Sequence, residues 1–219
     1  IIMNKLEPCQ RIFCVVRNFH AHAAEMGDSA PDKPIFFMKP PTSLVKSPAH
    51  ICLPFINQRL DHELELVIQL KAGGRLKTEA EAKNAIGAMG LGLDLTLRQV
   101  QFELKDKRWP WEAAKSFDGS AYLGPMVPFD ESILNNLEYS LFVNDDKRQH
   151  GSCSDWIFTP LQQLVALSEY WDLLPGDLLY CGTPSGVGPL QVGDKVVAKS
   201  PNIPGFSTVV HEPKKTDKD

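Results

Sequence analysis

The run His62-Glu63-Leu64-Glu65-Leu66 sets two carboxylates two residues apart in a strand-like segment. Side chains alternate across a strand, so Glu63 and Glu65 share one face, while Leu64, Leu66 and Ile68 share the other, which reads as core. Two anions roughly 7 Å apart along the backbone repel unless water or a cation lies between them. Mg²⁺ or Mn²⁺ would serve, being hard ions that take oxygen ligands and keep waters for a substrate to displace. The same pattern also fits the solvated face of an edge strand. Asp94 adds a third carboxylate in the apolar stretch 90–96, where an unpaired charge is costly to bury. It stands just before a helix expected to open near Thr96, so a helix N-cap is its alternative role. Glu63, Glu65 and Asp94 are thus candidate ligands of one divalent metal.

Two other segments carry reactive groups. His22 and Glu25 are three residues apart and share a face if their short segment is helical. A carboxylate beside an imidazole orients the ring and raises its basicity, which suits a general base acting on water. A surface His–Glu pair has the same spacing. The segment 181–188 (CGTPSGVG) is a Gly-rich turn after a strand, offering backbone N–H groups and the Thr183 hydroxyl to an anion. It lacks the lysine and spacing of a phosphate loop and also reads as a tight interstrand turn.

The elements that must position these groups are mostly short β-type runs. Residues 9–17, 34–39, 50–55, 63–70, 137–144, 176–181 and 193–200 are rich in branched and aromatic residues and bounded by Gly, Pro, Asn or Asp. Helical periodicity is confined to 78–89, 96–107 and 156–171, the last admitting Pro160 only near its first turn. Strands and helices do not alternate as βαβ units would, so the class is α+β and strand-rich rather than a doubly wound sheet.

Composition narrows the ligand classes. The 219 residues carry 23 basic and 27 acidic side chains, a net charge of −4, with 43% hydrophobic residues. This is a globular composition of single-domain size, without the clustered cations a nucleic-acid binder needs. No apolar run approaches the roughly 18 residues of a membrane span. The five cysteines are dispersed and lack a CxxC pair, so buried free thiols in a reducing, cytoplasmic setting are expected for most of them. The terminal residues 212–219 are charged and proline-broken, and flexibility is expected there.

In order along the chain, CVVRNFHAHAAEMG, FFMKPPTSLV, HELEL, GLDLTLRQVQ, WPWEAAKSFD, KRQHG and CGTPSGVGPLQVGD resemble the fumarylacetoacetate hydrolase family. The likeness spans about residues 10–210 and is strongest to small single-domain members described as acylpyruvate hydrolases. It implies one catalytic domain with a mixed β-roll fold, few outer helices and a homodimer. It also implies an Mg²⁺ or Mn²⁺ cofactor and a small 2-oxo or 2,4-dioxo acid substrate, cleaved at a carbon–carbon bond. Isomerisation of a 2-hydroxyhepta-2,4-diene-1,7-dioate-like compound, and decarboxylation or tautomerisation of oxaloacetate, are activities of the same kind of site. An idle binding module is the remaining alternative.

Laid on matching positions, the resemblance implies metal ligation by Glu63, Glu65 and Asp94, and a catalytic dyad of His22 and Glu25. It gives Lys115 the role of stabilising developing negative charge. Arg17, Lys39, Arg98, Gln101 and Thr183 fall where the family contacts substrate or supports the metal. Val16, Phe19, Gln99 and Cys181 depart from the family pattern. Gln99 is expected to alter how Arg98 is held, and Cys181 to place a thiol beside the substrate loop.

Overall fold

The computed structural model describes residues 7–25, 31–54 and 58–213. Its first third holds strands β1 (Ile12–Val16), β2 (Ile35–Lys39), β3 (Leu44–Lys46), β4 (Ile51–Cys52), β5 (Leu60–His62) and β6 (Leu64–Leu70). The middle adds β7 (Ile86–Asp94), β8 (Thr96–Leu97), β9 (Ala121–Pro128), β10 (Glu138–Val143) and β11 (Asp146–Ser152). The last part adds β12 (Leu178–Tyr180), β13 (Gly188–Leu190), β14 (Lys195–Lys199) and β15 (Phe206–His211). Short helices punctuate these strands: α1 (His20–Glu25), α2 (Glu79–Ala85), α3 (Arg98–Asp106), α4 (Glu112–Lys115), α5 (Glu131–Leu134) and α6 (Pro160–Leu167).

A seven-stranded mixed sheet in the order β2-β1-β12-β6-β7-β9-β3 forms the body. Five strands, β11-β10-β14-β15-β4, make a second sheet, and β13-β5-β8 a third of three strands. The strand-rich class expected from the sequence is what the chain adopts. Every residue of β6 is buried. Leu64, Leu66 and Ile68 enter the main core, as their alternation predicted.

The structure corrects the helices. The expected helix over 78–89 stops at Ala85, and Ile86–Asp94 becomes the longest strand, paired with β6 on one side and β9 on the other. Local helical periodicity yields there to sheet pairing at the centre of the molecule. Gly92 marks the reason for the small residues in this strand, since a Cβ there would lie 2.6 Å from the Tyr122 carbonyl oxygen. The expected helix over 96–107 begins only at Arg98, after the two residues of β8. The third is α6, which starts at Pro160 and is closed by a capping box between Thr159 and Gln162. The expected strand over 50–55 is confined to Ile51–Cys52, and its Phe55 lies outside the described residues, as do residues 214–219 of the terminal segment. All five cysteines are free, but only Cys14 and Cys181 are fully buried.

Candidate functional site

Glu63 occupies the one-residue break between β5 and β6, Glu65 follows on β6, and Asp94 ends the neighbouring β7. The Asp94 N–H donates to the Glu63 carbonyl at 2.9 Å, which ties the two strand ends together. One carboxylate oxygen from each of the three residues lies within 4.8 Å of the others, and all three side chains are buried. Asp94 is not a helix cap, since Leu97 precedes α3.

Cations crowd this cluster. Lys115 Nζ, from the end of α4, donates to Asp94 Oδ2 at 2.7 Å, Glu63 Oε2 at 2.9 Å and Thr96 Oγ1 at 2.6 Å. Lys39 Nζ lies 2.7 Å from Asp94 Oδ1 and donates to the carbonyls of Leu95, Ser120 and Lys115. Those carbonyls hold its ammonium against the carboxylate. Arg98 opens α3 and joins Glu63 Oε1, Asp61 Oδ2 and Gln101 Oε1.

The three acids are therefore unequal. Burial works against ionisation of Glu63, but Lys115 and Arg98 outweigh it and hold its carboxyl below the usual range. Burial, together with the charges of Asp94 and Glu63, pushes Glu65 well above that range, although the Gly182 N–H donates to it at 2.7 Å. Burial also opposes the charge on Lys115, yet Asp94 and Glu63 raise its pKa above that of a free lysine. A buried all-oxygen donor set that leaves Glu65 short of positive charge suits a hard divalent ion such as Mg²⁺ or Mn²⁺.

Across the same pocket, α1 presents its pair. His22 Nδ1 lies 3.1 Å from Glu25 Oε2, and the Gly186 N–H donates to Glu25 at 3.1 Å. With Nδ1 engaged, Nε2 is the nitrogen left to exchange a proton. The helix entry is anchored by Asn18, whose amide donates to the carbonyls of Phe158 and Cys181 and accepts from the Phe158 N–H. Gly182 lets that contact form: its φ is +96°, and a Cβ there would meet Asn18 Cβ at 2.6 Å.

The pocket walls include His22, Glu63, Glu65, Asp94 and Lys115. Arg17, Arg98, Gln101 and Thr183 line it too, whereas Lys39 lies beneath Asp94 and off the wall. Arg17 adopts φ +58°, a left-handed backbone uncommon for a side chain of its size, at the pocket edge. Thr183 is locked by its own hydrogen bond to the Leu64 carbonyl and by one from Gln149.

Three supporting residues escaped the sequence reading. Asp61 braces Arg98, and its acidic alternation with Glu63 and Glu65 was the signal available. Gln149 is a buried strut whose Oε1 accepts from the Leu64 N–H at 2.9 Å and whose Nε2 donates to Thr183 and the Pro184 carbonyl. Thr96 donates to Glu63 Oε1 at 3.0 Å. Gln149 and Thr96 lie in the family-like stretches KRQHG and GLDLTLRQVQ, but nothing in their local spacing marks them. Two expected effects of departures are corrected: Gln99 lies on the exposed side of α3 near Glu103 and does not hold Arg98, and the Cys181 thiol packs into the core.

The model of the fumarylacetoacetate (FAA) hydrolase C-terminal domain matches residues 11–211. The chain belongs to the fumarylacetoacetate hydrolase family. It is 38% identical to the oxaloacetate tautomerase YcgM of Escherichia coli, over 86% of this chain and 87% of that protein. It is 34% identical to the mitochondrial oxaloacetate tautomerase FAHD1 of Homo sapiens, over 93% of each. Among solved structures it is similar to fumarylpyruvate hydrolase from Pseudomonas aeruginosa in complex with Mn²⁺ and pyruvate, with a TM-score of 0.88 and 31% identity, covering 94% of this chain and 91% of that one. These relatives are named as enzymes of small oxo acids, and one of them is in complex with Mn²⁺.

Proposed function

We propose that the protein is a divalent-metal-dependent hydrolase that cleaves acylpyruvates to pyruvate and a carboxylic acid. The observation that carries this reading is His22, on the wall of the pocket that holds three buried carboxylates, with Glu25 behind it at 3.1 Å. Glu63, Glu65 and Asp94 would hold the ion, which when bound would supply Lewis-acid stabilisation of charge on the substrate's carboxylate and 2-oxo oxygens. His22 Nε2 takes a proton from water, Glu25 stabilises the imidazolium, and the hydroxide adds to the distal C4 carbonyl. The C3–C4 bond then breaks with its electron pair moving into the pyruvate enolate, and the proton returns to C3. Lys115 is placed to balance the negative charge that spreads into the enolate.

A second reading is keto–enol tautomerisation of oxaloacetate, favoured by the relatives that carry that name. There His22 would move a proton at C3 without adding water. The discriminating experiment follows acetylpyruvate and oxaloacetate in parallel, by pyruvate release and by enol absorbance, with Mg²⁺ or with EDTA. Metal-dependent pyruvate release from acetylpyruvate supports hydrolysis. Enol–keto exchange of oxaloacetate without acetylpyruvate cleavage replaces it with tautomerisation, and inertness toward both removes the enzymatic reading.

A further inference from the structure

We propose that an apolar cavity beside the carboxylate pocket, across the Phe37 ring, is the subsite for the substrate's acyl tail and selects uncharged hydrocarbon tails. The inference rests on the acylpyruvate reading and adds to it the class of acyl group. The carboxylate pocket has about 50 Å³ of free space, room for only a few water-sized groups. The adjoining cavity has about 270 Å³ and shares Val16, Phe37 and Trp111 with it. A tail longer than a few atoms must leave the small pocket, and these shared walls make the larger cavity its neighbour.

Phe37 stands between the two spaces. Lys115 Nζ lies 5.2 Å from its ring centroid, and the Trp111 ring lies 6.3 Å away at 60°. The ring thus meets the charged centre through one contact and the aromatic cavity through another. Beyond it, Ile35, Met38 and Trp109 are 46%, 43% and 57% exposed and lie together on this one cavity, a contiguous apolar patch of the kind that marks a ligand groove. Among the described residues, the only ionisable side chain on this cavity is Glu112. Among the described residues of this cavity, a tail ending in a second carboxylate would meet that acid and no cation, whereas a hydrocarbon tail would exchange water for indole and phenyl surface.

The test is calorimetric titration of the Mn²⁺-loaded protein with straight-chain 2-oxo acids from pyruvate to 2-oxooctanoate, and with 2-oxoheptanedioate against 2-oxoheptanoate. Affinity is expected to rise about fourfold for each methylene that reaches the cavity. The monoacid should bind at least about tenfold more tightly than the diacid of equal length. The double variant Ile35→Ser, Trp109→Ser should flatten the chain-length series relative to its own affinity for pyruvate. Both side chains are exposed, so the substitution spares the core. A flat series in the unaltered protein, a slope that survives the double variant, or equal binding of the diacid overturns the subsite. Failure of every acid to bind, pyruvate included, overturns the metal-chelate reading and the subsite with it.

Discussion

The carboxylate cluster and His22 face one pocket, but the cluster and the His22–Glu25 pair are held in opposite ways. Glu63, between β5 and β6, Glu65 in β6 and Asp94 at the end of β7 have their side chains buried and tied to Lys39, Lys115, Arg98 and the Gly182 N–H. The pair rides on a six-residue helix, joined to the rest through Asn18 and the Gly186 N–H, and the Glu25 side chain is about a third exposed. Groups that must keep a fixed geometry are built into the core. The pair proposed to exchange a proton with water is held by a short helix, with His22 buried and Glu25 partly exposed. Each side should therefore be removable without the other.

The largest effect is expected on the helix side. His22→Ala should lower the turnover of acetylpyruvate by about 10³-fold, within the usual range for a lost general base, while metal stoichiometry stays at one per chain. Loss of metal binding in this variant would show that the two sides are not separate. On the core side, Glu65→Gln should weaken Mn²⁺ by more than the roughly 10- to 100-fold that follows loss of a supporting partner. Its metal-free form should melt no lower than the unaltered protein at pH 8, because burial already disfavours the Glu65 charge. A large fall in Tm would contradict that electrostatic account.

Gln149→Ala cuts a strut shared by β6 and the Thr183 turn, leaving buried groups without partners. About 3 kcal/mol of stability should be lost, a fall of roughly 6–12 °C in Tm for a chain of this size. A fall of less than about 2 °C would remove its structural role.

The pH dependence has a definite sign. Glu65 is raised by burial and by Asp94 and Glu63, so folding without metal takes up a proton on it. Stability of the metal-free protein should therefore fall as pH rises above the usual carboxylate range toward the raised value. Glu63 is lowered, so its contribution is complete above that range and is lost only as pH falls below it. The Tm gain from Mg²⁺ should accordingly grow from pH 5 to pH 8, read by thermal melts, and a gain that shrinks would reverse the assignment. Smallest of all, Gln99→Asp should change turnover less than about twofold, since the side chain points away from Arg98. A tenfold change would place it in the site.

What was legible in the sequence divides along the same line. Strand alternation at 62–68 located Glu63 and Glu65 and the core face behind them, and three-residue spacing placed His22 beside Glu25. Both are local patterns with a fixed period. Asp61 continued the alternation and was passed over because its partner, Arg98, is far along the chain. Ile86–Asp94 looked helical in its first residues because pairing with β6 and β9, and not local preference, decides its state. Lys115 is an ordinary lysine in any window around it, and only the family resemblance singled it out. Gln149 gains its role solely from being where three segments meet.

The central claim is that metal retention and proton transfer belong to different parts of one pocket. Titrating Mn²⁺ by electron paramagnetic resonance into the unaltered protein, His22→Ala and Glu65→Gln tests it most directly. One tightly bound Mn²⁺ per chain is predicted for the first two, with binding lost in the third. Equal binding by all three, or none by the unaltered protein, would contradict it.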